Sequence, residues 1–282
     1  MNTMGRVIAW TNRRYLDAVA DHVVIFDGAT GTELAKYELG PADFGGERTE
    51  GLMEMLLFHR PEVVAQVHAT YFEAGAEVVE TNTFRGNRVS LAEFGVGDRA
   101  LEINRRAAEI ARQAADRVTA DSGRPRFVAG AMGPTGKLLS LEKMERMEED
   151  VTFDEIAAVY AEQSRGLIEG GVDLLLLETQ QDLLELKAAI QGIWRTFCAL
   201  GQRVPIQAQV TLDVHGRMLT GPSVEAALVT LAALPVDVIG LNCSTGPEEM
   251  RDAVRRLLAL TQHPVSVLPN AGMPESVDGR AV

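Results

Sequence analysis

Chemistry in this chain falls to a few polar residues that end apolar runs: Asp27, Glu80-Thr81-Asn82, Gly133-Pro134, Glu178-Thr179, Asp213, Asn242-Cys243 and Asn270. Cys243 closes the run Gly-Leu-Asn-Cys-Ser and precedes a helix opened by Pro247. A helix N-terminus lowers a nearby thiol's pKa and favours the thiolate, the form that binds metals or attacks carbon. The other reading of Cys243 is a small buried hydrophobe. Cys198, inside the helical stretch Trp194–Leu200, reads as filler. Asp27, in Phe-Asp-Gly-Ala-Thr-Gly-Thr, is followed by Gly28 and Gly31, so backbone amides can approach a carboxylate or phosphate closely. It reads equally as a capping aspartate in a tight turn. Glu178 follows four leucines, where a carboxylate needs solvent or a partner such as a ligand's ammonium.

The same inventory argues against other chemistries. No lysine stands among these positions, which disfavours a Schiff-base aldolase. The histidines, at 22, 59, 68, 215 and 263, are scattered, and only His215 falls near the polar ends, so a histidine-rich metal site is not expected. Two cysteines build no disulfide framework. A net charge of −13 repels phosphate backbones and anionic headgroups, so neither nucleic acid nor membrane is expected as a partner. Met1 to Arg14 lacks the apolar core of a signal peptide, and the aliphatic run Leu174 to Leu177 is far too short to span a membrane. The expected location is cytoplasmic.

These residues have to be positioned by something, and the rest of the chain supplies it. From Val23 onward short aliphatic runs alternate with longer amphipathic segments, the pattern of parallel strands buried on both faces and joined by crossover helices. The strands predicted are Val23–Asp27, Glu77–Thr83, Arg126–Met132, Asp173–Thr179, Pro205–Leu212, Asp237–Cys243 and Pro264–Asn270. Helices fit between them at Pro61–Ala74, Arg99–Val118, Phe153–Glu169, Gln181–Leu200, Ser223–Leu234 and Pro247–Leu260, with Thr11–Ala20 as an extra helix closing the floor. Pro61 and Pro247 suit first helical turns, Ser223 suits an N-cap, and Gly75 and Gly170 suit helix exits through positive φ. Pro41–Gly51 and the charged Lys137–Asp150 read as long excursions on the ligand face. The echo between Glu73-Ala-Gly-Ala-Glu-Val-Val-Glu-Thr and Glu169-Gly-Gly-Val-Asp-Leu-Leu-Leu-Leu-Glu-Thr marks a repeated unit.

The expectation is therefore an α/β fold, a (β/α)8 TIM-type barrel with about seven strands present and the last helix–strand unit lacking. Residues 1–22 form an N-terminal helical extension, and 23–282 the barrel, truncated before its eighth strand. Ala271 to Val282 is polar and turn-like, with neither a seventh crossover helix nor an eighth strand. Ligands bind such folds at the strands' C-terminal ends.

Taken together, the motifs Phe26-Asp-Gly-Ala-Thr-Gly-Thr32, Asp43-Phe-Gly-Gly-Glu47, Glu80-Thr-Asn-Thr-Phe84, Gly130-Ala-Met-Gly-Pro-Thr135, Gly216-Arg-Met-Leu-Thr-Gly221, Gly240-Leu-Asn-Cys243 and Pro269-Asn-Ala-Gly272 resemble the homocysteine-binding domain of cobalamin-dependent methionine synthases. The likeness runs over nearly the whole chain in order. It implies a methyltransferase in which three cysteinyl thiolates hold zinc and the metal activates homocysteine. Cys243 matches the first thiolate and the catalytic position. The other two match an adjacent pair in a Gly-Gly-Cys-Cys-Gly stretch that lies past Val282, so these residues alone are expected to be inactive. Asn270 matches a displaceable fourth metal ligand. Asp27 and Glu178 match contacts to the homocysteine amino group, and the amides from Gly28 onward suit its carboxylate. Methylcobalamin and methyltetrahydrofolate are implied as donors, through folate and cobalamin domains of a longer chain. Betaine or S-methylmethionine as donor on the same barrel, and a non-catalytic truncated barrel, are the alternatives.

Overall fold

The aliphatic runs pair as the alternation predicts. In the computed structural model, which describes residues 8–141, 151–271, 276–277 and 280–281, a two-residue strand β1 (Ala9–Trp10) opens the chain. The main sheet is formed by β2 (Val78–Glu80), β3 (Phe127–Met132), β4 (Leu174–Gln180), β6 (Ile206–Val210), β7 (Val238–Asn242) and β8 (Val265–Leu268), all parallel and hydrogen-bonded in that order. The short β5 (Gln202–Arg203) pairs with β1 instead. The main sheet curls into a half-barrel of the TIM type, with helices on its outer face.

Strand alternation decides what faces the inside of the curl. Leu174 and Leu176 of β4 pack inward with Val78, Phe127, Ala129 and Val238, while Leu175 and Leu177 face the helices. The same parity, two residues on from Leu176 and Val78 and four on from Val238, puts Glu178, Glu80 and Asn242 on the inner side at the C-terminal end. The floor below them is closed by Tyr15 of α1 (Arg14–Asp21), whose hydroxyl donates to Gln207 Oε1 at 2.5 Å and whose ring meets Phe26 and Phe127 edge-on.

Six helices follow the predicted crossovers. With the short α2 (Thr30–Leu34) and α3 (Leu56–His59) before them, α4 (Pro61–Ala74) has the predicted bounds; after the short α5 (Arg88–Ala92) and the long α6 (Ala100–Ser122), so does α7 (Phe153–Glu169). Then come α8 (Leu183–Leu200), α9 (Val224–Ala232) and α10 (Pro247–Leu260), the last again with the predicted bounds. Prolines open α4 and α10, a Thr152/Glu155 capping box opens α7, and Ser223 caps α9.

The sequence echo corresponds to a device repeated three times at the strands' N-terminal ends. The acidic residue before a strand accepts an amide near the start of the adjoining segment: Glu77 from Ile25, Asp173 from Val128, and Asp237 from Ile206. Each acid also pairs with a cation, His22 on Glu77, Arg112 on Asp173 and Arg203 on Asp237. These acids hold register on the face opposite the site.

Three expectations are corrected and one lies largely outside the described residues. Val23–Asp27 is not a ladder strand; only Phe26 forms a bridge, to Val78, because its aliphatic side chains find little to bury against, Val23 being 81% and Ile25 51% exposed. Gly170 stays right-handed, φ −81°, and Gly171 makes the turn at φ +95°. Gly170 is there for closeness, since a Cβ would lie 2.5 Å from the Arg105 carbonyl of α6. Ala271 to Val282 is not wholly turn-like, because β9 (Ser276–Val277) and β10 (Arg280–Ala281) pair antiparallel, a hairpin too short for alternation to reveal. Of the excursion Lys137–Asp150, residues 142–150 lie outside the described residues.

Candidate active site

Backbone strain marks the place where the inner polar residues meet. Among the described residues three non-glycine residues have left-handed backbones, Thr179 (φ +54°), Cys243 (φ +58°) and Ser244 (φ +65°). Such conformations cost of order 1 kcal/mol or more for a residue with a Cβ. At Thr179 the cause is a bulge: between Leu177 and Gln180, β4 carries one residue more than β6. Asn242 pins it, its Oδ1 accepting from Thr179 N at 2.7 Å and its Nδ2 donating to Thr179 Oγ1 at 2.9 Å. At Cys243 the left-handed turn brings the sulfur back to this group. Sγ accepts from Asn242 Nδ2 at 3.3 Å and from Thr179 Oγ1 at 3.6 Å.

Glu178 joins this group, and Asp27 meets Glu80 at the end of β2. Glu178, buried, accepts from Asn242 Nδ2 at 3.4 Å. Asp27 Oδ2 accepts from Glu80 N at 2.9 Å, which ties the first inner segment to β2, while Asp27 Oδ1 is buried without a partner. Among the described residues, none of Asp27, Glu80 or Glu178 forms an ion pair, although ion pairs are plentiful elsewhere. Burial, then the charge of Glu80, pushes Asp27 well above the usual carboxylate range; burial, then the charges of Glu80 and Asp27, does the same to Glu178; and burial takes Glu80 up to about 7. A cluster of this kind is complementary to a cation that brings its own charge.

The predicted effect on the thiol is reversed. Burial raises Cys243, with Glu178 and Glu80 adding to the rise, and the hydrogen bonds from Thr179 and Asn242 only offset it. The helix start at Pro247 therefore does not decide the state of this thiol; burial and the two neighbouring acids do. Asn270 is brought to the Cys243 loop by its backbone, N to Thr245 O at 3.0 Å. Among the described residues no three His, Cys, Asp or Glu side chains converge as a metal-holding group, and Cys198 stands inside α8, away from the site. One thiol and one amide residue do not make a complete zinc centre. Gly28 lies under Tyr71, whose hydroxyl oxygen would be 3.1 Å from a Cβ there. Burial, then the charges of Glu33, Asp27 and Glu80, push that phenol up to about 12. His215, the histidine expected near this face, is exposed in the Asp213–Gly216 turn.

Residues 24–282 match the sequence profile of the homocysteine S-methyltransferase family. The chain belongs to that family. Among curated relatives it is 42% identical over 259 residues to a methionine synthase of Mycobacterium tuberculosis and 41% identical over 273 residues to one of Mycobacterium leprae. These alignments take in 92% and 95% of this chain but only 21% and 22% of those proteins, so the chain spans about a fifth of their length. Among solved structures it resembles the homocysteine methyltransferase MmuM from Escherichia coli, in the metallated form with a TM-score of 0.74 and in the oxidized form with 0.75, at 26% identity. The metallated structure aligns with 92% of this chain and 87% of its own. As a family member the chain is a methyltransferase domain with a TIM-type fold, and among its described residues no helix is long and apolar enough to cross a membrane.

Within this family fold the structure gathers Asp27, Gly28, Glu178 and Cys243 at one end of the sheet, with Asn270 on the adjoining loop. Sequence reasoning left Glu80, Tyr71 and Asn242 without a role. Glu80 and Asn242 were visible as strand-end polar residues, and parity with Val78 and Val238 would have turned both inward. Tyr71 carried no such signal, since on α4 it reads as part of an amphipathic face.

Proposed function

We propose that this domain binds homocysteine at the C-terminal ends of its strands and presents the substrate's sulfur for methylation to methionine. The observation that carries this reading is the group of unpaired carboxylates, Asp27 and Glu178 foremost, beside a lone thiol. An amino acid supplies the missing positive charge through its ammonium. Its carboxylate then reaches the backbone amides after Asp27, where Gly28 and Gly31 leave room for close approach. That orientation directs the substrate side chain toward Cys243.

Cys243 is one thiolate ligand and Asn270 a displaceable one for a zinc ion, the remaining thiolates coming from protein other than these 282 residues; alone, these residues do not assemble the metal site and are inactive. Zinc, when bound, supplies acidity, since a free thiol with a pKa of about 8.5 is only a few per cent ionised at neutral pH. Asn242 and Thr179 aim the Cys243 sulfur and donate hydrogen bonds to it.

The donor in this reading is methylcobalamin, recharged from methyltetrahydrofolate, both carried by folate and cobalamin domains of a longer cytoplasmic protein. The length of the methionine synthase relatives supports it. So do the exposed Phe84, Val214 and Leu219 in loops following β2 and β6, which offer an apolar rim to a donor-bearing domain. Betaine or S-methylmethionine is the alternative donor, since the family match specifies the acceptor, homocysteine, and not the donor. Methyl-transfer assays on the full-length protein with each donor decide. Turnover with methylcobalamin and none with the other two is expected; turnover with betaine or S-methylmethionine alone overturns the donor assignment.

A further inference from the structure

Asp27 and Glu178 account for the amino group of an amino acid, yet a third carboxylate stands with them. Glu80 ends β2 on the inner parity, and its backbone N–H is used by Asp27 at 2.9 Å. Its side chain makes no hydrogen bond and no ion pair among the described residues. Its neighbours Thr81, Asn82 and Thr83 are all committed: Thr81 and Thr83 bond to each other and to β3, and Asn82 donates to Met53 O. Another buried acid nearby, Glu54, shows what a structural carboxylate looks like here, since it accepts the Arg85 amide at 2.7 Å. Glu80 has no such duty. Half-buried on the inner parity of β2, and joined through its own amide to Asp27, it turns its carboxylate toward the same interior as Asp27 and Glu178. Beside it Asp27 Oδ1 is buried with nothing to accept from.

We infer that Glu80 is a third recognition residue for the substrate's ammonium group, and that it sets the preference of this site for amino-acid thiols over thiols lacking the amine. The inference rests on the homocysteine reading above. Desolvating three carboxylates is costly unless a cation joins them, so a ligand without the amine leaves the cost standing. Sites built around a polar group of the substrate reject analogues lacking it far more strongly than apolar pockets reject a missing methylene. An ammonium presents three N–H donors, one for each of Asp27, Glu80 and Glu178.

The test is calorimetric titration of the full-length protein with L-homocysteine and with 4-mercaptobutanoate, which keeps the thiol and the carboxylate and lacks the amine. With Glu80→Gln the Kd for L-homocysteine should rise about tenfold, as loss of one charged hydrogen bond implies. The Kd for 4-mercaptobutanoate should stay the same or fall, because one unneutralised charge is gone. Glu80→Asp, which keeps the charge on a shorter arm, should restore part of the selectivity. If the wild-type protein fails to bind L-homocysteine, the reading of the whole site is overturned. If it binds, but Glu80→Gln leaves L-homocysteine affinity unchanged or weakens both ligands equally, the role of Glu80 alone is overturned.

Discussion

At the scale of single residues the site is a contest between burial and charge. Glu178→Gln in the full-length protein should weaken L-homocysteine binding by about tenfold while leaving the metal content unchanged, because one charge-assisted hydrogen bond is lost and no thiolate is touched. Thermal unfolding should show Glu178→Gln at least as stable as wild type, since a buried unpaired carboxylate is being removed. Cys243→Ala should abolish metal content and turnover together, whereas Cys198→Ala, inside α8, should leave both intact; metal analysis beside a turnover assay checks this. The pH dependence follows from Glu80. Its folded value lies near 7, above that of an ordinary glutamate, so between those values the ligand-free folded protein holds a proton that the unfolded chain has released. Its stabilising contribution is therefore present at low pH and disappears as pH rises through about 7. Thermal melts of the ligand-free protein should show a loss of stability over that window, flattened by Glu80→Gln. Asp27, Glu178 and Cys243 were legible from residue type at strand ends. The environment of Cys243 was not, because the nearest helix start is visible in one sequence and the carboxylates that overrule it arrive from β2 and β4.

At the scale of elements, α7 is wedged between α6 and α8 by small residues. Gly166 lies where a Cβ would be 2.6 Å from the Leu101 carbonyl, and a Cβ on Gly192 would collide with the Ala157 carbonyl. Neither obstacle is a flexible side chain. Gly192→Ala should therefore cost about 1–3 kcal/mol of stability in urea unfolding, despite the better helix propensity of alanine. The starts of α4 and α10 could be read in advance because Pro61 and Pro247 fit a first helical turn and no later one. The segment Val23–Asp27 could not, because an aliphatic run records what can be buried, not whether a neighbour stands there to bury it. The bulge in β4 was likewise silent, since an extra residue shows itself only against a partner strand.

At the scale of the whole molecule, one end of the sheet is structural and the other chemical. The acidic clamps at Glu77, Asp173 and Asp237 secure the lower end, and Tyr15 seals its centre from an N-terminal segment that β1 fastens to β5. Tyr15→Ala should destabilise the protein by about 3–5 kcal/mol, the usual cost of emptying a buried aromatic site, with denaturant unfolding as the measurement. The sealed floor has a bearing on traffic. Among the described residues Tyr15 closes the lower end, so under the proposed function the amino acid and the donor both approach from the strands' C-terminal ends. A donor large enough to cover that end would trap whatever is already inside and shut out whatever is not. If the proposed donor is correct, loading should be sequential, with the small amino acid first and the bulky partner second, and product-inhibition kinetics on the full-length protein would check that order.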